Sequence, residues 1–366
     1  MGTKIIGLGK ALPKLEVTND ELNTIVDASD DWVYPRTGIH SRHIAVEEST
    51  IDLARNAALA ALGKPTADAE GWCEAQIDPA SIDLVICGTL TPDTLMPSTA
   101  GALRRDLGLD NAVAFDMNAA CCGFIYGVSV ADGMLAASCS LPGGRQKMTR
   151  ALVIGADRTT RILNWEDRGS CILFGDGAGA AVLEWDENEP GILSTFLRNV
   201  DDTKNSLACT NSFVASVPFT KDGISLDAKD DPDPSLASMS AILDFTAEQL
   251  DSLVHMSGQA VFKFASKALC TAIEGVLENA GLTMEDIALI VPHQANERII
   301  RYAAKRLDLG MEMFQVCMEN TGNTSAASVP IALVDAYAQG RIHKGDKIIA
   351  VGFGGGLTYG GLLFEA

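Results

Sequence analysis

One order of strand-like segments occurs twice in this 366-residue chain. Ile82-Asp-Leu-Val-Ile is echoed by Ile287-Ala-Leu-Ile-Val, and Leu152-Val-Ile-Gly by Ile349-Ala-Val-Gly. Gly179-Ala-Ala-Val-Leu-Glu is echoed by Tyr359-Gly-Gly-Leu-Leu-Phe-Glu, with one gap. The copies keep their order and lie about 180–205 residues apart. A repeated order constrains the fold more than any single match, because each copy must build the same unit. The chain is therefore read as an internal duplication.

The apolar runs at 82–88, 111–117, 150–156 and 179–185 belong to the first copy. Those at 287–293, 313–319, 347–353 and 359–365 belong to the second. Helical stretches at 49–62, 119–138, 261–281 and 294–308 separate several of them. Apolar strands alternating with amphipathic helices predict a layered α/β fold with a buried sheet. The division expected is 1–185 and 258–366 as the two halves, with 186–257 as linker and acidic insertion. Residues 199–236 are polar, acidic and aperiodic, as expected of a lid or decoration. Asp227 to Asp233 only superficially resembles a calcium loop, because Pro232 replaces the required glycine and no ligand Glu follows.

The nine cysteines form no CxxC pair and no zinc spacing with histidine. Most lie in apolar runs, which points to a reducing compartment, hence the cytoplasm. No signal peptide is expected in MGTKIIGLGKALP, and Ile6 breaks the myristoylation pattern. The longest apolar stretch, Ala114 to Ala137, is interrupted by Asp116 and Asp132 and reads as too short for a membrane helix. With 28 Lys+Arg against 48 Asp+Glu, the net charge is −20. Such a chain repels nucleic acid and anionic membranes, so neither is an expected partner.

Four segments carry candidate chemistry. Asp116-Met-Asn-Ala-Ala-Cys121-Cys122-Gly runs from a strand into a helix, where the dipole and free N–H groups favour a thiolate. Two small buried residues in a tight elbow would read the same way. Val291-Pro-His293 ends an apolar strand, where open α/β sheets hold ligands, although a structural histidine fits as well. Gly322-Asn323-Thr-Ser-Ala-Ala-Ser opens a helix after a strand, so that Asn323 falls near the counterpart of Cys121, or simply caps the helix. Phe353-Gly-Gly355-Gly permits close backbone approach and N–H groups suited to an oxyanion hole. It lacks the P-loop lysine, and Gly7-Leu-Gly9 lacks the third glycine of a dinucleotide site.

Together, DMNAACCGF, VPHQAN, GNTSAAS and FGGG resemble the β-ketoacyl-acyl carrier protein synthase III family of thiolase-like condensing enzymes. WVYPRTGIHSRHIA (32–45), Asp167-Arg-Gly-Ser and FGDGAGAAV (174–182) extend the resemblance over the chain apart from insertions near 64–77, 139–149 and 199–250. The resemblance implies a five-layered αβαβα fold and a homodimer. It selects Cys121 rather than Cys122 as nucleophile, with His293 and Asn323 as its catalytic partners and the N–H groups of Cys121 and Gly355 as oxyanion hole. Trp32, Arg36, Arg168, Gly258, Gln259, Phe262 and Ala295 match coenzyme A positions, with Gln259 where well-known members have Asn.

The resemblance also assigns Phe353 and Met96 to the acyl pocket. Met96 stands where many members place an aromatic residue that reaches across the dimer, so the primer could differ from acetyl. The implied reaction condenses an acyl-CoA with malonyl-acyl carrier protein, with CO₂ loss and no cofactor beyond the CoA thioester. Lys263, Lys267, Arg298, Arg301, Lys305 and Arg306 form a basic patch suited to an acidic carrier. A condensing enzyme of specialised metabolism shares these residues. A Cys–His thioesterase fits less well, since no carboxylate orienter stands beside the histidine and Asn323 is present. A non-catalytic acyl-CoA binder would have little use for the Cys/His/Asn set.

Overall fold

The computed structural model describes residues 1–140, 143, 146–210, 219–220, 223–224 and 253–366. The Asp227 to Asp233 segment and most of the 199–250 insertion lie outside them.

Two sheets carry the duplication. The first has six strands in the order Ala69–Cys73, Gly2–Ala11, Gly177–Asp186, Arg150–Asp157, Leu84–Gly88 and Val113–Met117. The second has four, in the order Ile192–Asn199, Thr358–Glu365, Lys347–Gly354 and Leu289–Pro292. The strand senses match as well as the order. Leu84–Gly88 runs parallel to Arg150–Asp157, and Leu289–Pro292 runs parallel to Lys347–Gly354. The next pairings, in each copy, are antiparallel.

Alternation along the strands explains the layering. Leu84 and Ile86 of the first sheet, and Ile348 and Ala350 of the second, face a shared core. Between them lie Phe124, Ile125 and Val128 of helix Gly123–Ser140 and Val329, Ala332 and Leu333 of helix Ser328–Ala338. Val85 and Cys87 face outward into a cluster completed by helices Thr99–Asp106 and Thr50–Ala61. Ile349 and Val351 face outward onto helices Gly258–Ala280 and Glu297–Arg306. The result is the expected αβαβα sandwich.

Four details depart from the sequence reading. The run 313–319 is not a strand: Phe314 makes one parallel bridge with Ile290, and the chain then turns into the short helix Met318–Thr321. Strands Gly2–Ala11 and Ile192–Asn199 escaped notice. The second of these lies in the expected linker, yet it is the edge of the second sheet. Finally, Ala120–Ser140 is long and apolar enough to cross a membrane, contrary to expectation. Its Phe124, Val128 and Leu135 are fully packed between the two sheets, as in a core helix.

Candidate active site

The nucleophile candidate sits in an elbow. After Val113–Met117 the chain makes a 3₁₀ turn, Ala120–Cys122, and enters helix Gly123–Ser140. Asn118 Oδ1 accepts the Ala120 N–H at 3.0 Å, and Ala120 takes a φ of +46°. The second copy repeats this turn: Asn323 Oδ1 accepts the Ser325 N–H at 3.0 Å, and Ser325 takes a φ of +52°. The counterpart of Asn323 is thus Asn118, and that of Cys121 is Ala326, three residues from the pairing expected.

The Cys121 side chain is 7% exposed and its Sγ lies 3.5 Å from Ser325 Oγ. Its pKa is not lowered, as the helix position suggested, but pushed up to about 12. Burial disfavours the thiolate, outweighing the Ser325 hydrogen bond that favours it. Cys122 is fully buried on the side of Gly352, which supports its reading as a packing residue. A side chain at Gly354 would put Cβ 2.7 Å from the Cys121 backbone N. This glycine therefore brings the second sheet's backbone against the elbow.

His293 ends the strand Leu289–Pro292 and is buried. Its Nδ1 lies 2.9 Å from Ser328 Oγ, which also accepts the Gln294 N–H at 2.7 Å. Ser328 Oγ and His293 Nδ1 share one hydrogen bond beside the Gln294 N–H. Burial drives the His293 pKa down to about 3, so the ring is neutral at physiological pH. Its edge meets Phe353, with ring centroids 5.0 Å apart. Asn323 is buried and clamped by its backbone: its N–H donates to Leu173 O and its C=O accepts from Gly175.

A cavity of about 1020 Å³ opens beside the elbow. Its walls include Cys121, Ser325, Leu95, Phe174, Gly355 and Thr358. Met96 and Phe353, expected in the acyl pocket, are not among its wall residues. Met96 is 88% exposed in the single chain, while Phe353 is packed on His293.

Trp32 lies on helix Asp30–Thr37 with two guanidinium groups over its ring, Arg36 at 4.7 Å and Arg168 at 4.6 Å. Arg168 also pairs with Asp27 at 2.8 Å. Gly258 and Gln259 are exposed at the start of helix Gly258–Ala280, Phe262 is half-buried and Ala295 is buried. Of the basic patch, Lys263, Lys267, Arg298, Lys305 and Arg306 are exposed. Arg301 is exposed but pairs with Glu297 at 2.6 Å, and Arg298 lies 5.8 Å from the Phe262 ring. Sequence reasoning missed Ser325 and Ser328. The two serines sit in a run of small residues, where only the comparison of the two elbows singles them out.

A duplicated five-layer sandwich with a cysteine at one of its two matched elbows defines a thiolase-like enzyme. Comparison with known proteins narrows this. Residues 115–200 match the family model 3-Oxoacyl-[acyl-carrier-protein (ACP)] synthase III, and residues 277–366 match that family's C-terminal model. A Beta-ketoacyl-[acyl-carrier-protein] synthase III of Clostridium perfringens is 40% identical over 362 residues, covering 99% of this chain and 98% of the relative. The crystal structure of 3-oxoacyl-[acyl-carrier-protein] synthase III from Aquifex aeolicus superposes with a TM-score of 0.82, at 36% identity over the whole of both chains. The priming beta-ketosynthase of the R1128 polyketide pathway superposes with a TM-score of 0.80, at 31% identity, covering 100% of this chain and 96% of that one. The chain belongs to the β-ketoacyl-[acyl-carrier-protein] synthase III family of condensing acyltransferases.

Proposed function

We propose that Cys121, His293 and Asn323 carry out the decarboxylative condensation of an acyl-CoA with malonyl-acyl carrier protein. The product is a β-ketoacyl-carrier thioester, and the reaction begins fatty acid synthesis. In the first half-reaction Cys121 Sγ attacks the acyl-CoA thioester and coenzyme A leaves. The backbone N–H groups of Cys121 and Gly355 hold the oxyanion, each donor contributing on the order of 3 kcal/mol. The close approach of Gly354 to Cys121 N supports this pairing of backbones.

In the second half-reaction CO₂ loss from the malonyl group leaves an enolate on its thioester oxygen. His293 Nε2–H and the Asn323 amide donate to that oxygen, and the enolate carbon attacks the acyl-Cys121 carbonyl. The observation that carries this reading is the burial of His293 against Ser328 and Phe353, which keeps the ring neutral and holds its Nδ1. Among the described residues no carboxylate bonds this ring, whereas a hydrolase triad orients its histidine with one.

Trp32 stacks the adenine, with Arg36 and Arg168 supplying charge and planar faces. Gly258, Gln259, Phe262 and Ala295 line the path of the coenzyme A arm. Phe353 and a partner's Met96 close the acyl pocket in a homodimer, which the high exposure of Met96 supports. The basic patch docks the acidic carrier. Reversal at Arg298 raises the KM for the carrier and spares loading from acyl-CoA; equal loss of both steps would refute docking. No resident cofactor takes part, and the burial of Cys87, Cys121, Cys122, Cys171 and Cys270 as small apolar side chains supports a cytoplasmic setting.

A flexible Met96, where an aromatic side chain would fill more space, favours a second reading, a primer longer than acetyl. Intact-mass analysis after incubation with a graded set of acyl-CoAs tests both readings. An adduct on Cys121 is expected, and the longest chain loaded rapidly measures the pocket. Release of free acid without a β-ketoacyl product would favour a thioesterase instead.

A further inference from the structure

Strand Ser41–Ile44 carries the largest fully buried side chain among the described residues, that of Arg42. An arginine stays charged in a protein interior, and among the described residues no carboxylate pairs with this one. Burying an unpaired charge is costly, and methionine or leucine would fill the same space without that cost. The guanidinium directs its donors to three neutral oxygens. Nη1 donates to Val17 O at 3.1 Å, and Nη2 donates to Asn19 Oδ1 at 2.7 Å and to Ile172 O at 2.9 Å. The residue after Ile172 holds the second elbow: Leu173 O accepts the Asn323 N–H at 2.8 Å, and the Gly175 N–H donates to Asn323 O at 3.0 Å. Phe174 and Asn323 form a parallel bridge between these two bonds. Strand Ser41–Ile44 holds both ends of this clamp, since Arg42 takes Ile172 O and His43 O accepts the Asp176 N–H at 2.8 Å. The stem of Arg42 is pressed against both sides of the bridge. A Cβ on Gly175, or on Gly322 just before Asn323, would lie 3.2 Å from Arg42 Cβ. Asn323 Oδ1 is committed to the Ser325 N–H, so the direction of its amide follows the backbone that the clamp holds.

We infer that Arg42 is a positioning residue: it backs the 172–176 clamp and so fixes the direction in which the Asn323 amide meets the enolate oxygen. The inference rests on the role of Asn323 in the function proposed above. Arg42 itself touches no substrate and acts through Asn323. Without the guanidinium, Ile172 O loses its partner and the clamp relaxes; a donor displaced by about 1 Å costs on the order of 10²-fold in rate. Loading from acyl-CoA is spared, because Asn19 keeps its bonds to Asp30 Oδ1 at 2.8 Å and to Ile39 O at 2.7 Å. Those two residues bracket the helix that carries Trp32.

The test compares Arg42→Lys, Arg42→Met, Asn323→Ala and the double variant Arg42→Lys/Asn323→Ala with the wild type. The readouts are the rate of acyl-enzyme formation from acetyl-CoA, and kcat and KM for malonyl-carrier decarboxylation by enzyme already acylated. Lysine keeps the charge and the stem but lacks the planar fork that reaches three oxygens. Both single substitutions at Arg42 are expected to lower kcat for decarboxylation, by about 10-fold for lysine and about 10²-fold for methionine. KM for the carrier and acyl-enzyme formation should be unchanged. In the Asn323→Ala background Arg42→Lys should add almost nothing, because the donor that Arg42 positions is already gone. A further loss of the same fold in that background would mean that Arg42 acts by another route, and would overturn the inference. A parallel fall in acyl-enzyme formation and decarboxylation, as a general loosening of the fold produces, would overturn it too. Should Arg42→Met fail to fold, Arg42→Lys decides alone. If Asn323→Ala leaves decarboxylation unchanged, the proposed role of Asn323 is refuted and the inference with it. A loss in Asn323→Ala with none in either Arg42 variant refutes the positioning role alone.

Discussion

The elbow at Cys121 and the elbow at Ser325 are one structure used twice. Each has an asparagine that caps the turn, a residue with positive φ, a 3₁₀ turn and a buried helix. The differences lie at matched positions. Where the first copy has Cys121, the second has Ala326. Gly88 and Gly123 pack so closely that a Cβ on Gly88 would lie 2.6 Å from Gly123 C. Their counterparts are His293 and Ser328, which use the same proximity for a hydrogen bond. The fold therefore supplies two geometrically equivalent corners. On the function proposed above, differences at a few matched positions give one corner a nucleophile and the other a pair of donors.

The largest effects should come from exchanging these roles. Cys121→Ser is expected to remove the acyl-enzyme mass shift and to lower turnover on the order of 10³-fold or more. Cys122→Ser should keep the adduct; loss of the adduct in Cys122→Ser but not in Cys121→Ser would invert the assignment. The two caps then separate structure from chemistry. Asn118→Ala and Asn323→Ala each remove a side-chain acceptor for a turn N–H, and each should cost about 1 kcal/mol in denaturant unfolding. Only Asn323→Ala should also slow malonyl decarboxylation, by about 10²-fold to 10³-fold, with loading from acyl-CoA retained. A similar kinetic loss in Asn118→Ala would mean that the two corners share the chemistry.

A smaller effect tests how tightly each corner is pressed by the opposite sheet. A Cβ on Gly155 would lie 2.1 Å from Ala326 O, a backbone atom that cannot turn away. On its counterpart Gly352 the nearest atoms are Cys122 Sγ and Ile125 Cγ1, both at 3.5 Å, an ordinary contact. Gly155→Ala should destabilise by about 1–3 kcal/mol or more. Gly352→Ala should be neutral or stabilise by about 0.4–1 kcal/mol, because it restricts only the unfolded chain. Equal costs by denaturant unfolding would show that the two contacts are alike after all.

The duplication itself was legible because buried parallel strands read as unbroken apolar runs, and the runs kept their order. The elbows were legible because a small-residue stretch between strand and helix leaves few alternatives. The strand Gly2–Ala11 was hidden by Gly2, Gly7 and Gly9, which blur its pattern. A Cβ on Gly9 would lie 2.1 Å from Ala57 O, so those glycines serve packing by helix Thr50–Ala61 and not the strand propensity. The run 313–319 looked like a strand, but after one bridge at Phe314 and the bond from Gln315 N to Ile290 O the chain turns into helix Met318–Thr321, where Met318 is buried. The thiol pKa was misjudged for a different reason. A helix terminus is visible in the sequence, whereas the burial that raises the pKa comes from packing by segments distant in the chain, such as the close approach of Gly354. The same distance in sequence hid Ser328 as the partner of His293.

The smallest expected effect is the most specific to the second corner. An ordinary histidine titrates near 6.5, whereas His293 is buried with its Nδ1 bonded to Ser328 Oγ. Burial holds the folded-state pKa near 3, so the neutral ring persists as the pH falls through 6.5 and is lost only in much stronger acid. The rate of malonyl decarboxylation by enzyme already acylated should therefore show no limb between pH 8 and about pH 5. Ser328→Ala should lower that rate a few-fold at every pH, because Nδ1 then loses the bond that holds the ring. A limb near 6.5 in the wild type would mean that His293 is solvated when the malonyl group is bound. The hydrogen bond supplied by the second corner would then not set the state of the ring.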